Sequence, residues 1–217
     1  MKLKKNFYFL LDPSNLWIEN FLKESLKNFP KKYNYIITKN YKVIKNSIVF
    51  VLSYTRILDV NFIKRNKKVL IIHPSKLPKD KGFAPVQNQI LKNKRLIHTC
   101  IIEASEKVDS GPIIYRDTFL LHGHELSNEI RKKQFISTFK LIRKFLKNYP
   151  KFKAYKQKGV SSFNKRRTPS DSELNISKSI KSQFNLLRIV DNKLYPAFFK
   201  YRSHTYYIKI EKKNNFF

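Results

Sequence analysis

A single cysteine, Cys100, stands in this chain of 217 residues. No intramolecular disulfide can therefore form, and a metal or redox site built on paired cysteines is excluded. Acidic residues are scarce too, 15 against 46 Lys and Arg, which leaves a formal charge of +31 and a pI near 10.2. A surplus of this size is the footprint of a polyanionic partner such as nucleic acid, an anionic membrane or a phosphorylated substrate. A compositional origin competes with that reading, because the abundant Lys, Asn, Ile, Phe and Tyr all draw on A/T-rich codons. Long apolar runs are missing as well. Phe7 to Leu11 ends at Asp12, shorter than the apolar region of a secretory signal, and nothing approaches the roughly 20 residues of a membrane helix. A cytoplasmic protein without a membrane span is expected. Internal repeats and low-complexity tracts are absent. What is present, 41% hydrophobic and 14% aromatic residues, is ample for a packed core and argues against disorder.

Strand-like and helix-like patterns alternate along the chain. Asn6 to Leu11 reads as a buried strand, and Asp12-Pro13-Ser14-Asn15 as a turn cluster able to cap a helix from Leu16 to about Phe29. Tyr33 to Thr38, Ser47 to Leu52 and Val69 to Ile72 are strand-like runs rich in Ile, Val and Tyr. A short helix is expected over Ala84 to Lys92, strands over Ile97 to Glu103 and Ile113 to Leu121, and a long amphipathic helix over Glu125 to Lys147. This rhythm predicts an α/β domain with a mostly parallel, Rossmann-like sheet over residues 1–150. Lys151 to Ser170 holds seven basic residues and no acidic ones, and reads as a linker or exposed arm. A small C-terminal subdomain follows over 171–217, with a helix from about Ile176 to Val190 and short strands near Tyr195 to Phe199 and Thr205 to Ile210.

The candidate site lies where His73 ends an apolar strand and enters the loop Pro74-Ser75-Lys76-Leu77-Pro78, with Gly82 and Pro85 beyond it. Loops at strand ends are where open α/β sheets bind ligands. Asp109 falls in a second loop, Val108-Asp109-Ser110-Gly111-Pro112, so one imidazole and one carboxylate on two loops can meet. Taken singly, such a histidine is a satisfied structural residue and such an aspartate a turn former. Meeting on two such loops, they look like an active site. The remaining histidines, His98, His122, His124 and His204, have no carboxylate spacing that suggests a metal site, and no metal is expected.

This constellation resembles the folate-dependent formyltransferases, a family that includes glycinamide ribonucleotide, methionyl-tRNA and nucleotide-sugar formyltransferases. The resemblance runs from about Tyr8 to Arg131, with its specific residues between His73 and Pro112. It implies the formyltransferase fold, 10-formyltetrahydrofolate as co-substrate and an amine that attacks the formyl carbon. By that resemblance His73 takes the amine proton or stabilises the oxyanion, Asp109 favours the charged imidazole, and Ser75 orients the ring. Gly82 and Pro85 line the acceptor side, while Ser53 and Tyr54, at the end of the preceding strand, contact the folate. Where the family carries an Asn two residues before the histidine, this chain has Ile71, which cannot donate to an oxyanion. One such donor is worth about 3 kcal/mol. Gln87, Asn88 and Ser53-Tyr54 are the candidates to replace it.

Arg166-Arg167-Thr168-Pro169-Ser170-Asp171 and Asn185-Leu186-Leu187-Arg188 resemble the sugar-modifying branch. Arg166 and Arg167 have the bidentate geometry that phosphate recognition uses. The reading is N-formylation of a nucleotide-linked amino sugar. Methionyl-tRNA formylation and a catalytically inactive basic binding protein remain the alternatives, with weak, non-specific nucleic-acid binding expected from the charge and no oligomeric state implied.

Overall fold

The computed structural model describes residues 4–213. Its core is a six-stranded sheet built from β1 (Lys5–Leu11), β2 (Tyr33–Thr38), β3 (Ile48–Leu52), β4 (Lys68–His73), β6 (Leu96–Glu103) and β7 (Ile113–Leu120), in the order β2-β1-β3-β4-β6-β7. The first four strands are parallel, and β6 and β7 return antiparallel, so the sheet is mostly parallel as the sequence predicts. Alternation within the strands sorts the core onto two faces. Phe7, Phe9, Leu11, Ile48, Phe50, Leu52, Leu70 and Ile72 face the helices α1 (Leu16–Ser25) and α4 (Ser127–Asn148). Leu10, Val49, Val51 and Val69 face the other way, against Phe62 of the short helix α2 (Val60–Lys64). Residues 69 and 71 therefore share the α2 face, and His73, two further on, continues it.

Three aromatic contacts hold the α1/α4 layer: Phe9 on Phe50 at 5.3 Å, Phe29 on Phe139 at 5.0 Å and Phe21 on Phe135 at 5.2 Å. Each buried phenyl ring contributes about 2–3 kcal/mol. The β6–β7 hairpin depends on Gly111, where a Cβ would stand 1.7 Å from the Glu103 carbonyl oxygen. Beyond β4, a two-residue strand β5 (Lys81–Gly82) and the helix α3 (Pro85–Leu91) complete the first part of the chain.

The expected first helix stops early. α1 ends at Ser25, and Leu26–Asn28 tightens into a 3-10 turn. Nor does the Asp12–Asn15 cluster cap it by a side chain. Asn15 instead donates to the Ser53 carbonyl at 2.6 Å, and Asp12 accepts from Ser14 and from Thr55, at 2.9 Å from the Thr55 N–H. The turn cluster thus staples the loop after β1 to the loop after β3.

Lys151 to Ser170, expected as a linker or arm, lies along the domain as a strap. Tyr155 exchanges both backbone hydrogen bonds with Ile113, and β8 (Phe163–Asn164) pairs in parallel with β5. The chain then forms α5 (Ile180–Ile189), shorter than the expected helix because Ser179 caps it by accepting from the Ser182 N–H. The hairpin of β9 (Ala197–Tyr201) and β10 (His204–Ile208) closes a separate small core around Leu174, Leu187, Val190 and Ala197. Of the sugar-branch pattern, Asn185 bonds Asn93, and buried Arg188 sits 3.7 Å from Glu125, so both residues dock α5 onto the domain. Among the described residues no helix is long and apolar enough to cross a membrane.

Asp12 generates a prediction. Burial alone would raise its pKa, but hydrogen bonds from Ser14 and Thr55 outweigh that and hold it at about 2, against an ordinary 3.8. The folded-state value lies below the unfolded one, so the stabilisation is complete above about pH 4 and is lost as pH falls towards 2. It amounts to about 2 kcal/mol. Asp12→Asn is expected to lower stability by that order at pH 7 and by little at pH 2. Urea midpoints that fall in parallel for both proteins through this range would refute it.

Candidate active site

His73 is the last residue of β4, and its position follows from the strand. Val69 to Ile72 pair with β3 and β6, and the chain turns at Pro74 once β3 has ended at Leu52. The ring is buried at 5% exposure. Its Nε2 lies 2.9 Å from the Asp80 carbonyl oxygen. A carbonyl only accepts, so Nε2 carries the hydrogen and Nδ1 is the nitrogen left to gain or lose a proton. Nδ1 faces Asp109 Oδ2 at 3.5 Å, a charge contact longer than a hydrogen bond.

Asp109 Oδ2 also accepts the Gly82 N–H at 2.8 Å, which joins the two loops. Gly82 has φ +84°, and a Cβ there would stand 2.6 Å from the Asn164 carbonyl oxygen, so the position requires glycine. Ser53, Asp80, Ala84 and Asp109 all hold left-handed backbone without being glycine. Three of them, Ser53, Ala84 and Asp109, line one cleft, and such strained residues persist only where the surroundings over-determine the geometry.

That cleft has a volume of about 750 Å³ and crosses the carboxyl ends of β1, β3 and β4, from the α1/α4 side to the α2 side. Ligand clefts commonly have this size and place. Its lining includes the apolar Ile57, Leu58, Ile63, Ile71 and Ala104, with Ser53, Tyr54, Thr55 and Arg56. Arg131, Arg166 and Arg167 line it as well, as do Trp17 and Tyr195, and Arg167 donates to the Asp171 carbonyl at 2.7 Å. Arg131 is held by Asp191 at 2.9 Å, while the Arg166 guanidinium lies over the Phe83 ring at 5.4 Å. The cleft brings together His73, Asp109, Gly82, Pro85, Ser53, Tyr54, Arg166 and Arg167, all picked out from the sequence.

Ser75 is not among them, which corrects its expected role as the group that orients the ring. It is fully buried, its hydroxyl donates to the Lys79 carbonyl at 2.9 Å, and its N–H bonds the His73 carbonyl. Ser75 shapes the loop, and the Asp80 carbonyl holds the ring. Asp80 was not visible as a site residue, because a backbone carbonyl does its work. Its side chain is 3% exposed and bonds Lys92 and Lys94; burial would raise its pKa, but these partners carry it below the ordinary value. Of the substitutes for the missing Asn, Asn88 is committed to the Phe83 and Ala84 carbonyls, whereas Gln87 lines the cleft. Ile71 lines it too, on the same strand face as His73. Among the described residues no group of three or more His, Cys, Asp or Glu is placed to hold a metal ion.

With this geometry in view, the comparisons with known proteins are consistent. The methionyl-tRNA formyltransferase of Thermosipho melanesiensis is 28% identical over 162 residues, 75% of this chain and 53% of that protein. The chain thus spans about half the length of this curated relative. Among solved structures, a methionyl-tRNA formyltransferase from Clostridium thermocellum superposes with a TM-score of 0.79 at 22% identity, over 93% of this chain and 90% of that one. A sugar N-formyltransferase from a Shewanella species gives 0.70 at 14% identity, over 97% and 99%. These two likenesses establish the α/β formyltransferase fold. The family model described as formyl transferase matches residues 17–135, more than half of the sequence, and the chain therefore belongs to the formyl transferase family.

Proposed function

We propose that this protein transfers a formyl group from 10-formyltetrahydrofolate to a primary amine, with His73 and Asp109 as the reacting pair. The observation that carries the reading is the His73 Nδ1 to Asp109 Oδ2 contact at the floor of the cleft, with Nε2 tied to Asp80. As the amine nitrogen bonds to the formyl carbon, His73 Nδ1 accepts the proton it sheds, and Asp109 favours the imidazolium so formed. The bond from the formyl carbon to the folate nitrogen then breaks, and His73 returns the proton to that nitrogen. Ser53 and Tyr54, with the apolar Ile57, Leu58 and Ile63 in the same lining, suit the flat ring of the donor. Gly82 and Pro85 line the same cleft.

The acceptor we favour is a nucleotide-linked amino sugar. Arg166 and Arg167 face the same cleft as His73, so a phosphate held there and an amine at the reacting centre fit within one small molecule. A second reading, methionyl-tRNA formylation, is supported by the curated relative and by the charge. No acidic residue stands between Glu129 and Asp171. The exposed Lys140, Arg143, Lys144 and Lys147 of α4 have no carboxylate within 4.0 Å among the described residues.

His73→Ala and Asp109→Asn are each expected to reduce turnover at least 10²-fold without unfolding the protein. Steady-state assays together with a thermal melt check this, and near-normal turnover in either variant would remove the assignment. Incubation with 10-formyltetrahydrofolate and either amino-sugar nucleotides or charged initiator tRNA separates the acceptors. Replacing Arg166 and Arg167 together by Ala is expected to raise KM for the sugar nucleotide more than it lowers kcat. Turnover of tRNA alone would install the second reading. Ile71→Asn should leave activity level or lower it, since Gln87 already offers a carboxamide to the cleft. A gain of about 10-fold or more would show that the protein lacks an oxyanion donor and that the binding-only reading is the better one.

A further inference from the structure

The strap from Lys151 to Ser170 does more than connect two parts of the chain. It touches both loops that carry the His73–Asp109 pair. On the Asp109 side, Gln157 Nε2 donates to the Asp109 carbonyl at 2.8 Å and to the Gly111 carbonyl at 2.9 Å. Both partners only accept, so the amide NH2 must face them, and the Gln157 Oε1 is left buried without a hydrogen-bond partner among the described residues. Leaving a buried acceptor unsatisfied is costly, and the two carbonyl bonds fix the orientation all the same. On the His73 side, Ser162 Oγ accepts the Asp80 N–H at 2.9 Å, and the Ser162 carbonyl accepts the Lys81 N–H at 2.9 Å. The Asn164 carbonyl accepts the Phe83 N–H at 3.2 Å.

These contacts converge on one carboxylate. Asp109 sits at φ +49°, a conformation that a non-glycine residue keeps only when its surroundings hold it. Gln157 grips the backbone of that residue and of the glycine two positions on. The Gly82 N–H, presented by the β5–β8 pairing, grips its side chain. We propose that Gln157 is a positioning residue for the reaction: by clamping the Asp109 loop in its left-handed turn, it holds the carboxylate against His73 Nδ1. This rests on the reading of His73 and Asp109 as the reacting pair. The strap that clamps the Asp109 loop continues directly into Arg166 and Arg167, which line the same cleft.

Gln157→Met keeps most of the side-chain volume and removes both N–H donors. Ser161→Ala, on the same strap, removes only an exposed bond to the Pro78 carbonyl and serves as the control. Two readouts decide the matter. The first is amide hydrogen exchange at Gly82, whose N–H bonds the Asp109 carboxylate. In Gln157→Met it is expected to exchange at least 10-fold faster than in the wild-type chain, with amides in β1 and β3 unchanged. In Ser161→Ala it should be unaffected. The second is steady-state formyl transfer, where Gln157→Met is expected to lower kcat about 10-fold with KM for donor and acceptor within about 2-fold. Unchanged Gly82 exchange overturns the proposal whatever the activity. Faster exchange with unchanged kcat also overturns it, by making Gln157 a structural clamp alone. If the wild-type chain transfers no formyl group to any acceptor, the reading of the pair fails and takes the catalytic role of Gln157 with it, while the exchange result still reports whether the clamp exists.

Discussion

A carbonyl oxygen accepts hydrogen bonds and never donates them, and that asymmetry at Asp80 sets the tautomer of His73 in the cleft. Because the Asp80 carbonyl lies 2.9 Å from His73 Nε2, the hydrogen on that nitrogen is fixed and Nδ1 is left facing Asp109. The surroundings are arranged to keep this one oxygen in place. Asp80 is buried in left-handed backbone, its N–H is tied to Ser162, and its side chain is neutralised by Lys92 and Lys94. A buried carboxylate without such partners would be costly, so the two lysines belong to the architecture of the site although neither approaches His73.

Most of the sheet was legible in the sequence for a simple reason: β-strands bury alternate residues, and Phe7, Phe9, Leu11 and Ile48, Phe50, Leu52 display that period. That His73 and Asp109 meet in one cleft was legible because side-chain type and position at strand and loop ends are visible in the sequence. What escaped was whatever rests on the backbone or on long-range pairing. The two-residue strands β5 and β8 lie about 80 positions apart and leave no periodicity of their own. Asp80 acts through its carbonyl, which every residue has. Ser75 shows the reverse error. Its type and place suggested an orienting hydroxyl, yet the tight turn from His73 to Lys79 consumes both its hydroxyl and its N–H. Lys151 to Ser170 read as an arm because charge is local information, while the partners that fix it, Ile113, Asp109 and Asp80, are distant in sequence.

Ile71 bears on the same division between side chain and frame. It occupies the strand face that continues to His73, and it packs with Leu77, Cys100, Ile102 and Ile113 at the base of the cleft. A branched apolar side chain there makes that part of the lining hydrophobic, whereas Gln87, which carries a carboxamide, lines the cleft from α3. Burial in the same cluster pushes the Cys100 thiol up to about 12, so this cysteine is a filler and not a nucleophile.

The exchange of two backbone hydrogen bonds between Ile113 and Tyr155 occupies the start of β7, an outer strand of the sheet. An uncovered strand margin is a template on which another polypeptide can add and seed assemblies. Here the chain's own strap takes that place at the end of β7 nearest the cleft, and Lys153 and Lys156, exposed on either side of Tyr155, set positive charge against a second copy. The segment that contacts the His73 and Asp109 loops thereby also fills the first position of this margin, at Ile113.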